Sequence, residues 1–249
     1  MNVAMVAVEV FSGAGAWAKA MRAAGFIVIE IDVKYKHDLT KKKNCRFLSN
    51  FLRSGLVDIV HLGTPCHSFT RARERGNGPG PLRSSSCPLG LPDLSALDKQ
   101  KVVTGNALAL LSSQILTLCY KRGIPAGLEN PALSRLWELP SFLRLAKLEY
   151  VKTVKFDFCL YGAPWRKRTQ VMYFWVDIAP LARLCTSHHG SCDRTTRPHQ
   201  ILEGKKPGTS IFWTAIAEPY PKGLCKKWAQ CFKNKMAARA LSSLATYCT

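Results

Sequence analysis

The chain is 249 residues long, which is enough to bury a full hydrophobic core, and we expect one domain with an appendage rather than two equal domains. Lys and Arg number 36 against 16 Asp and Glu, giving a formal net charge of +20. So one-sided a balance exceeds what solubility requires and favours an anionic polymer as partner, with nucleic acid the natural candidate.

Ten cysteines raise the question of a disulfide framework, which needs an oxidising compartment and usually a secretion signal. The first residues, MNVAMVAVEVF, lack a basic start and contain Glu9, so they do not form such a signal. We also find no run that is long and apolar enough to cross a bilayer. The sequence therefore predicts reduced cysteines and an intracellular protein that is not secreted and has no membrane partner, nuclear if its source is eukaryotic.

A glycine-rich turn follows the first predicted strand, Val3–Phe11. The segment FSGAGAW leads from it into a predicted helix at Ala18–Ala24. Gly13 and Gly15 allow close backbone approach to a ligand near the helix N-terminus, although many α/β proteins carry such glycines only for the turn itself.

An acid lies at the end of the second predicted strand, Phe26–Ile31. Asp32 comes about seventeen residues after the second glycine of the turn, close to the spacing of a carboxylate that binds a ribose. Glu30 competes for this role, but strand alternation points it to the opposite face. Asp38 and Leu39 in the next loop either contact an adenine or are ordinary loop residues.

One cysteine lies just past the third predicted strand, Asp58–Leu62, which Gly63-Thr64-Pro65 ends abruptly. Because open α/β sheets place their chemistry at the carboxyl ends of strands, Cys66 is a candidate nucleophile for attack on an electron-poor carbon. The alternative is a buried structural cysteine. Basic residues that would favour the thiolate are His67, Arg71 and Arg73.

The segment Gly76–Pro92 is too rich in Gly, Pro and Ser for regular structure and predicts a long loop that could close over a substrate. A core helix is predicted at Leu97–Tyr120, and Gly105-Asn106 is placed to interrupt it. Candidate phosphate contacts in and before the loop are Arg71, Arg73, Arg75 and Arg83.

A carboxylate follows the next predicted strand, Gly123–Leu128. Glu129 lies at the same edge of the sheet as Cys66, which suits acid chemistry on a bound base. The alternative is a glutamate that caps the helix after the turn at Asn130-Pro131.

Two aromatic and β-branched strands, Tyr150–Phe158 and Val171–Val176, predict an antiparallel pair at the sheet edge. The basic residues between them either bind phosphate or a base oxygen or protect an exposed edge. They are Arg166, Lys167 and Arg168.

The composition changes after residue 180, so we expect a catalytic domain at 1–180 and a small C-terminal region at 181–249. The region begins with soft metal ligands, Cys185, His188, His189, Cys192 and His199. They suit structural zinc without the paired C-x-x-C spacing of a strong zinc motif. If the tail folds back, Cys159 completes a set with Cys185, Cys192 and His199. A basic amphipathic helix from about Lys222 closes the chain, with apolar Leu224, Trp228, Phe232 and Met236.

Taken together, these segments resemble the cytosine-C5 DNA methyltransferase family in its usual motif order, over roughly residues 8–176. EVFSGAGAW resembles the family's Phe-x-Gly-x-Gly methyl-donor motif, and Asp38-Leu39-Thr40 resembles its Asp-Ile-Thr adenine contact. DIVHLGTPCHSFT resembles the strand that ends in Pro-Cys-Gln, and LENP resembles Glu-Asn-Val. YGAPWRKRTQVMYF is similar to the Tyr-Gly-Ile-Pro segment that carries Gln-x-Arg-x-Arg.

The resemblance implies a Rossmann-like class I methyltransferase fold, with a mostly parallel sheet and an antiparallel edge hairpin, that uses S-adenosyl-L-methionine. Cys66 would add to C6 of a flipped or single-stranded cytosine in DNA, Glu129 would stabilise the adduct at N3, and Arg168 would complete the catalytic set. The implied donor-binding residues are Phe11, Ser12, Gly13, Gly15, Asp32, Asp38, Leu39 and Pro65.

Departures from the family pattern keep other functions open. In the Trp165–Thr169 segment the family's second arginine is Thr169, so Arg168 must substitute from one residue earlier. Glu-Asn-Pro replaces Glu-Asn-Val, and we find no late Gly-Asn motif, which in the family closes the donor pocket. The alternatives are the same chemistry on RNA and a catalytically inactive nucleic-acid-binding module that retains the fold.

Overall fold

A six-stranded sheet with helices on both faces organises this computed structural model, which describes residues 5–74 and 80–247. The strands are β1 (Val6–Val10), β2 (Ile27–Ile31), β3 (Ile59–Leu62), β4 (Ala126–Pro131), β5 (Lys152–Asp157) and β6 (Arg168–Phe174). The helices are α1 (Ala16–Ala23), α2 (Lys42–Arg53), α3 (Ala96–Lys121), α4 (Pro140–Ala146), α5 (Trp213–Ile216) and α6 (Lys222–Tyr247).

The strand order is β2-β1-β3-β4-β6-β5. Strands β1 to β4 are parallel to one another, whereas β6 runs antiparallel to both β4 and β5. This arrangement confirms the predicted Rossmann-like fold with its antiparallel edge. Because β2 and β3 lie on opposite sides of β1, the winding of the chain reverses there, and such a switch point opens a crevice at the carboxyl ends of the strands.

The central strands are buried on both faces, and their side chains alternate between two cores. Val8 and Val60 pack with α2, α3 and α4, whereas Ala7 and Ile59 pack with α1 and α6. The same alternation turns two polar side chains toward α1 and α6. Glu9 accepts a hydrogen bond from the Ala18 backbone at 3.1 Å, and His61 packs between aromatic rings of the two helices.

Helix α6 covers one face of the sheet, as its apolar periodicity predicts. It packs against α1, and four apolar side chains from successive turns are buried. The residues are Leu224, Trp228, Phe232 and Met236. The C-terminal region therefore shares a core with β5 and β6, and the boundary at residue 180 stays a prediction.

Helix α3 runs without a break through Gly105-Asn106, where we expected an interruption. Gly105 has a packing reason, because a Cβ at this position would collide with the Ser68 hydroxyl. Contrary to the sequence expectation, α3 is also long and apolar enough to span a membrane. Half of the apolar stretch of α3 is buried inside the fold, as in the core helix of a globular domain.

Arg83 is a structural anchor and not the phosphate contact that we expected. Its buried guanidinium donates to the Pro88 carbonyl and the Asn106 side chain, both at 2.7 Å, and to the Ser68 carbonyl at 2.9 Å. It also stacks 3.8 Å from the centre of the Phe69 ring. These contacts tie residues 82–88 to α3. Arg75, another candidate phosphate contact, lies outside the described residues.

Candidate functional site

A cavity of about 410 Å³ lies at the carboxyl ends of β1, β2, β3 and β4. The structure brings to it every residue for which the sequence predicts donor binding, together with two of the three predicted catalytic residues. These are Phe11, Ser12, Gly13, Gly15, Asp32, Asp38, Leu39, Pro65, Cys66 and Glu129.

The turn after β1 is held in place by Asp32. The Asp32 carboxylate accepts from the backbone N–H of Gly13 at 2.9 Å and of Lys34 at 3.0 Å, which leaves lone pairs free for a ligand. Gly15 has a φ of +66°, and a Cβ there would lie 2.7 Å from Glu30 Oε1. Glu30 itself pairs with Arg22 at 3.0 Å, so Asp32 is the acid that faces the cavity.

Two further features of this end of the cavity suit a bound ligand. The Ser12 hydroxyl is buried and has no hydrogen-bond partner among the described residues. Asp38 accepts from the backbone and hydroxyl of Thr40, at 2.9 and 2.7 Å, and these hydrogen bonds lower the pKa of its carboxyl. Asp38 therefore stays ionised as an acceptor, beside the buried side chain of Leu39.

Cys66 begins a tight turn, in which its carbonyl accepts from the backbone of Phe69 at 2.8 Å. Burial, followed by the nearby charge of Glu129, raises the pKa of the Cys66 thiol to about 11. Lys167 opposes this shift, because its positive charge favours the thiolate. The thiol is consequently protonated near neutral pH and must lose its proton when it attacks.

The basic neighbours predicted for Cys66 interact with other groups. Arg71 pairs with Glu74 at 3.0 Å, and Arg73 donates to the Gly80 carbonyl at 3.0 Å. The exposed ring of His67 lies 3.4 Å from Glu218.

Glu129 is buried at the end of β4, and burial raises the pKa of its carboxyl. Its Oε2 accepts from the Tyr220 hydroxyl at 3.0 Å, and its Oε1 has no partner among the described residues. The neighbouring Asn130 donates to the Thr64 carbonyl at 2.7 Å and so ties β4 to the loop that carries Cys66. Glu129 does not cap the helical turn Arg135–Glu138, where the Ser134 side chain accepts from the Leu136 backbone N–H at 3.2 Å.

Arg168 does not line the cavity, in contrast to the role that the family pattern suggested. It is the first residue of β6 and pairs in register with Asp157 of β5, whose carboxylate accepts from its guanidinium at 2.9 and 2.8 Å. Its neighbour Lys167 lines the cavity instead and donates to the Ala217 carbonyl at 3.0 Å. Strand pairing thus separates the two basic residues.

The C-terminal segment contributes a wall of the cavity that we did not predict from the sequence. Glu218, Pro219 and Tyr220, directly before α6, line the cavity. The only signal was the position of the EPYP segment before a helix that covers the core.

A second cluster lies near β5, outside the cavity. Four ligand atoms, from Cys159, Cys185, Cys192 and His199, lie within 4.8 Å of one another, and the three cysteines are buried. The Nε2 atom of His199 is 3.6 Å from the Cys185 sulfur, and its Nδ1 is 3.5 Å from the Ser187 hydroxyl. Three thiols and one imidazole match the ligands of a tetrahedral zinc site. His188 and His189 contact each other instead.

No family model and no curated protein matches the chain. Among solved structures, the chain is similar to the methyltransferase EhMeth of Entamoeba histolytica, with 13% identity and a TM-score of 0.37 over 71% of this chain and 54% of that chain. It is also similar to a mutant of Spodoptera frugiperda DNMT2, with 15% identity and a TM-score of 0.35 over 69% of this chain and 50% of that chain. The chain thus spans about half the length of these structures.

Proposed function

We propose that the protein is an S-adenosyl-L-methionine-dependent methyltransferase that modifies C5 of cytosine in nucleic acid, with DNA as the expected substrate. One observation carries the proposal. The thiol of Cys66 and the carboxyl of Glu129 line the same cavity as the glycine-rich turn and Asp32. A nucleophile, an acid and a donor-binding turn are the groups that this reaction needs in one place.

The residues at the β1 end of the cavity fit the donor. Asp32 has lone pairs free for ribose hydroxyls, and the unpartnered Ser12 hydroxyl offers a polar contact. Asp38 and Leu39, which line the cavity, would contact the adenine edge and face, and Phe11, Gly13, Gly15 and Pro65 complete the wall. When bound, the donor supplies the methyl group that C5 accepts.

The chain's own residues move the electrons and protons. As the Cys66 sulfur bonds to C6, its thiol proton leaves to solvent, and the electron pair of the C5–C6 double bond shifts to C5. Burial raises the pKa of the Glu129 carboxyl and so favours its protonated form, from which it would donate a proton to N3 of the base. After methyl transfer, a solvent water takes the C5 proton, and the C5–H electron pair re-forms the C5–C6 double bond as the Cys66 sulfur leaves C6 with its bonding pair. The Cys66 thiolate then regains a proton from solvent, and N3 returns its proton to Glu129.

The substrate must present cytosine outside a duplex stack, because C5 and C6 are otherwise hidden. The net charge of +20 supports binding to a phosphate backbone. An intracellular location, nuclear in a eukaryotic source, stays a prediction that agrees with this substrate.

We further propose that Cys159, Cys185, Cys192 and His199 bind a structural zinc ion. The hydrogen bond between Ser187 and Nδ1 of His199 supports this proposal, because metal-bound histidines usually have such a partner on the other ring nitrogen. Asp157 accepts from both Arg168 and the Cys185 backbone, so the site would be joined to the sheet edge.

The test is to incubate the protein with isotopically labelled donor and equimolar DNA and RNA, and then to identify the modified base by mass spectrometry. The proposal predicts 5-methylcytosine in DNA. Label found only in RNA would move the same chemistry to RNA, and binding of nucleic acid without transfer would support an inactive binding module.

A further inference from the structure

The hydroxyl of Tyr220 joins two buried side chains at the floor of the cavity. It lies 3.0 Å from Glu129 Oε2 and 3.2 Å from Nε2 of His61. We propose that Tyr220 is a positioning residue for Glu129, holding one carboxyl oxygen so that the other, Oε1, is presented to the substrate base. This inference rests on the proposed function, because it concerns the acid of that same site.

The surroundings of Tyr220 fix the position of its hydroxyl. The His61 ring is fully buried and packs 5.0 Å from Trp17 and 4.7 Å from Trp228, between centroids. The Tyr220 ring packs on the same Trp228 at 6.0 Å. Gly63 leaves room beside it, since a Cβ there would lie 3.2 Å from the hydroxyl and 2.9 Å from the Phe11 carbonyl. The hydroxyl therefore has little freedom to turn away from Glu129.

A carboxyl on a flexible glutamate side chain needs such a restraint to donate a proton in one direction. Because Oε2 is occupied, Oε1 is the oxygen left for a ligand, and it is buried without a partner among the described residues. Burial raises the pKa of Tyr220 well above its usual value, so the phenol remains a hydrogen-bond donor. Burial also lowers the pKa of His61 to about 3, so the imidazole adds no charge.

Other charged and titratable groups line the cavity with this carboxyl. They are Cys66 in the loop after β3, Lys167 before β6 and Glu218 before α6. The charge of Glu9 on β1 raises the pKa of Tyr220. Of these groups, Lys167 and Tyr220 lower the pKa of Glu129 against the larger effect of burial.

The test compares Tyr220→Phe with Tyr161→Phe in the full chain. Tyr161 is a matched control, because it is also buried and donates to a backbone carbonyl, that of Leu181 at 2.7 Å, away from the cavity. Isotope-edited infrared titration follows the protonated carboxyl, with Glu129→Gln identifying its band. Steady-state methyl transfer to cytosine-containing DNA gives kcat and KM as functions of pH.

We expect Tyr220→Phe to raise the pKa of Glu129 and to lower kcat by about 10- to 100-fold, with KM for DNA within about twofold. The alkaline limb of kcat should move to higher pH, a change that a loss of packing does not produce. An unchanged Glu129 titration, or kcat equal to that of Tyr161→Phe, would overturn the inference. If the wild-type protein transfers no methyl group, the proposed function fails, while the infrared titration still decides whether Tyr220 holds Glu129.

Discussion

Asp157 and Arg168 form a bidentate ion pair at the edge of the sheet, with N–O distances of 2.9 and 2.8 Å. Asp157 is fully buried and also accepts from the Cys185 backbone at 2.8 Å. The pair therefore joins the β5–β6 hairpin to the Cys/His cluster. We therefore interpret Arg168 as a residue that stabilises the sheet edge. Lys167 lines the cavity instead.

We expect Arg168→Ala to lower the free energy of unfolding by about 1–3 kcal/mol, because it leaves a buried carboxylate without its main partner. Urea unfolding measures this change. Arg166→Ala is the control, since Arg166 makes one contact of 3.5 Å with the same carboxylate and should cost less. A folded Arg168→Ala protein should still bind the methyl donor, and loss of donor affinity without loss of stability would contradict the assignment.

Gly15→Ala should weaken donor binding. The substitution places a side chain at a φ of +66° and brings its Cβ to 2.7 Å from Glu30 Oε1, which distorts the turn that lines the cavity. Isothermal titration with S-adenosyl-L-methionine should show at least a tenfold higher Kd, about 1.4 kcal/mol. Gly25→Ala meets similar backbone strain at φ +97° with nothing within 4 Å. An equal loss of donor affinity in both variants would refute a local role for Gly15.

The pH dependence of Cys66 reactivity should reveal the charge of Lys167. The Cys66 thiol has a pKa of about 11 that Lys167 pulls down, so removing the positive charge raises this pKa further. Alkylation of Cys66 by iodoacetamide, followed by peptide mass spectrometry, should therefore rise with pH and shift to higher pH in Lys167→Gln. Lys155→Gln, an exposed change on β5, should match the wild type. Identical profiles for Lys167→Gln and wild type would exclude this electrostatic role.

Purified protein should contain about one zinc ion per chain, and Cys185→Ser should reduce that content. Elemental analysis by mass spectrometry measures both. Cys225→Ser removes a cysteine that is equally buried but lies on α6, so its zinc content should not change. Chelation should also lower the melting temperature of the wild type, because the metal would link Cys159 to the segment 185–199. Equal zinc content in the two variants would exclude Cys185 as a ligand.

Local patterns in the sequence predicted most of the fold and the part of the cavity that the segments after β1 to β4 form. The turn from Phe11 to Gly15, Asp32, Cys66 and Glu129 all follow strands directly, and parallel strands bring their carboxyl ends to one edge. The cluster of Cys159 with Cys185, Cys192 and His199 was also predicted, because their residue types suit a metal and the cluster requires only that the tail fold back.

Features that depend on long-range packing could not be predicted in this way. Tyr220 reaches Glu129 only because α6 packs on α1, and the two residues are 91 positions apart in the chain. The sequence could not predict that Lys167 and not Arg168 lines the cavity, because Arg168 is fixed by its pairing with Asp157 of β5. Gly105 was interpreted as a helix break because the neighbour that needs its space, Ser68, lies outside the helix.

Covalent trapping tests the central role of Cys66 most directly. In DNA that contains 5-fluorocytosine, fluorine replaces the C5 hydrogen that must leave as a proton, so the adduct with the attacking thiol persists. With donor present, the wild-type protein and Cys231→Ser should each form a covalent complex with this DNA, joined through Cys66, whereas Cys66→Ala should form none. A wild-type protein that is not trapped on DNA or RNA, or a Cys66→Ala protein that is trapped, would contradict the account.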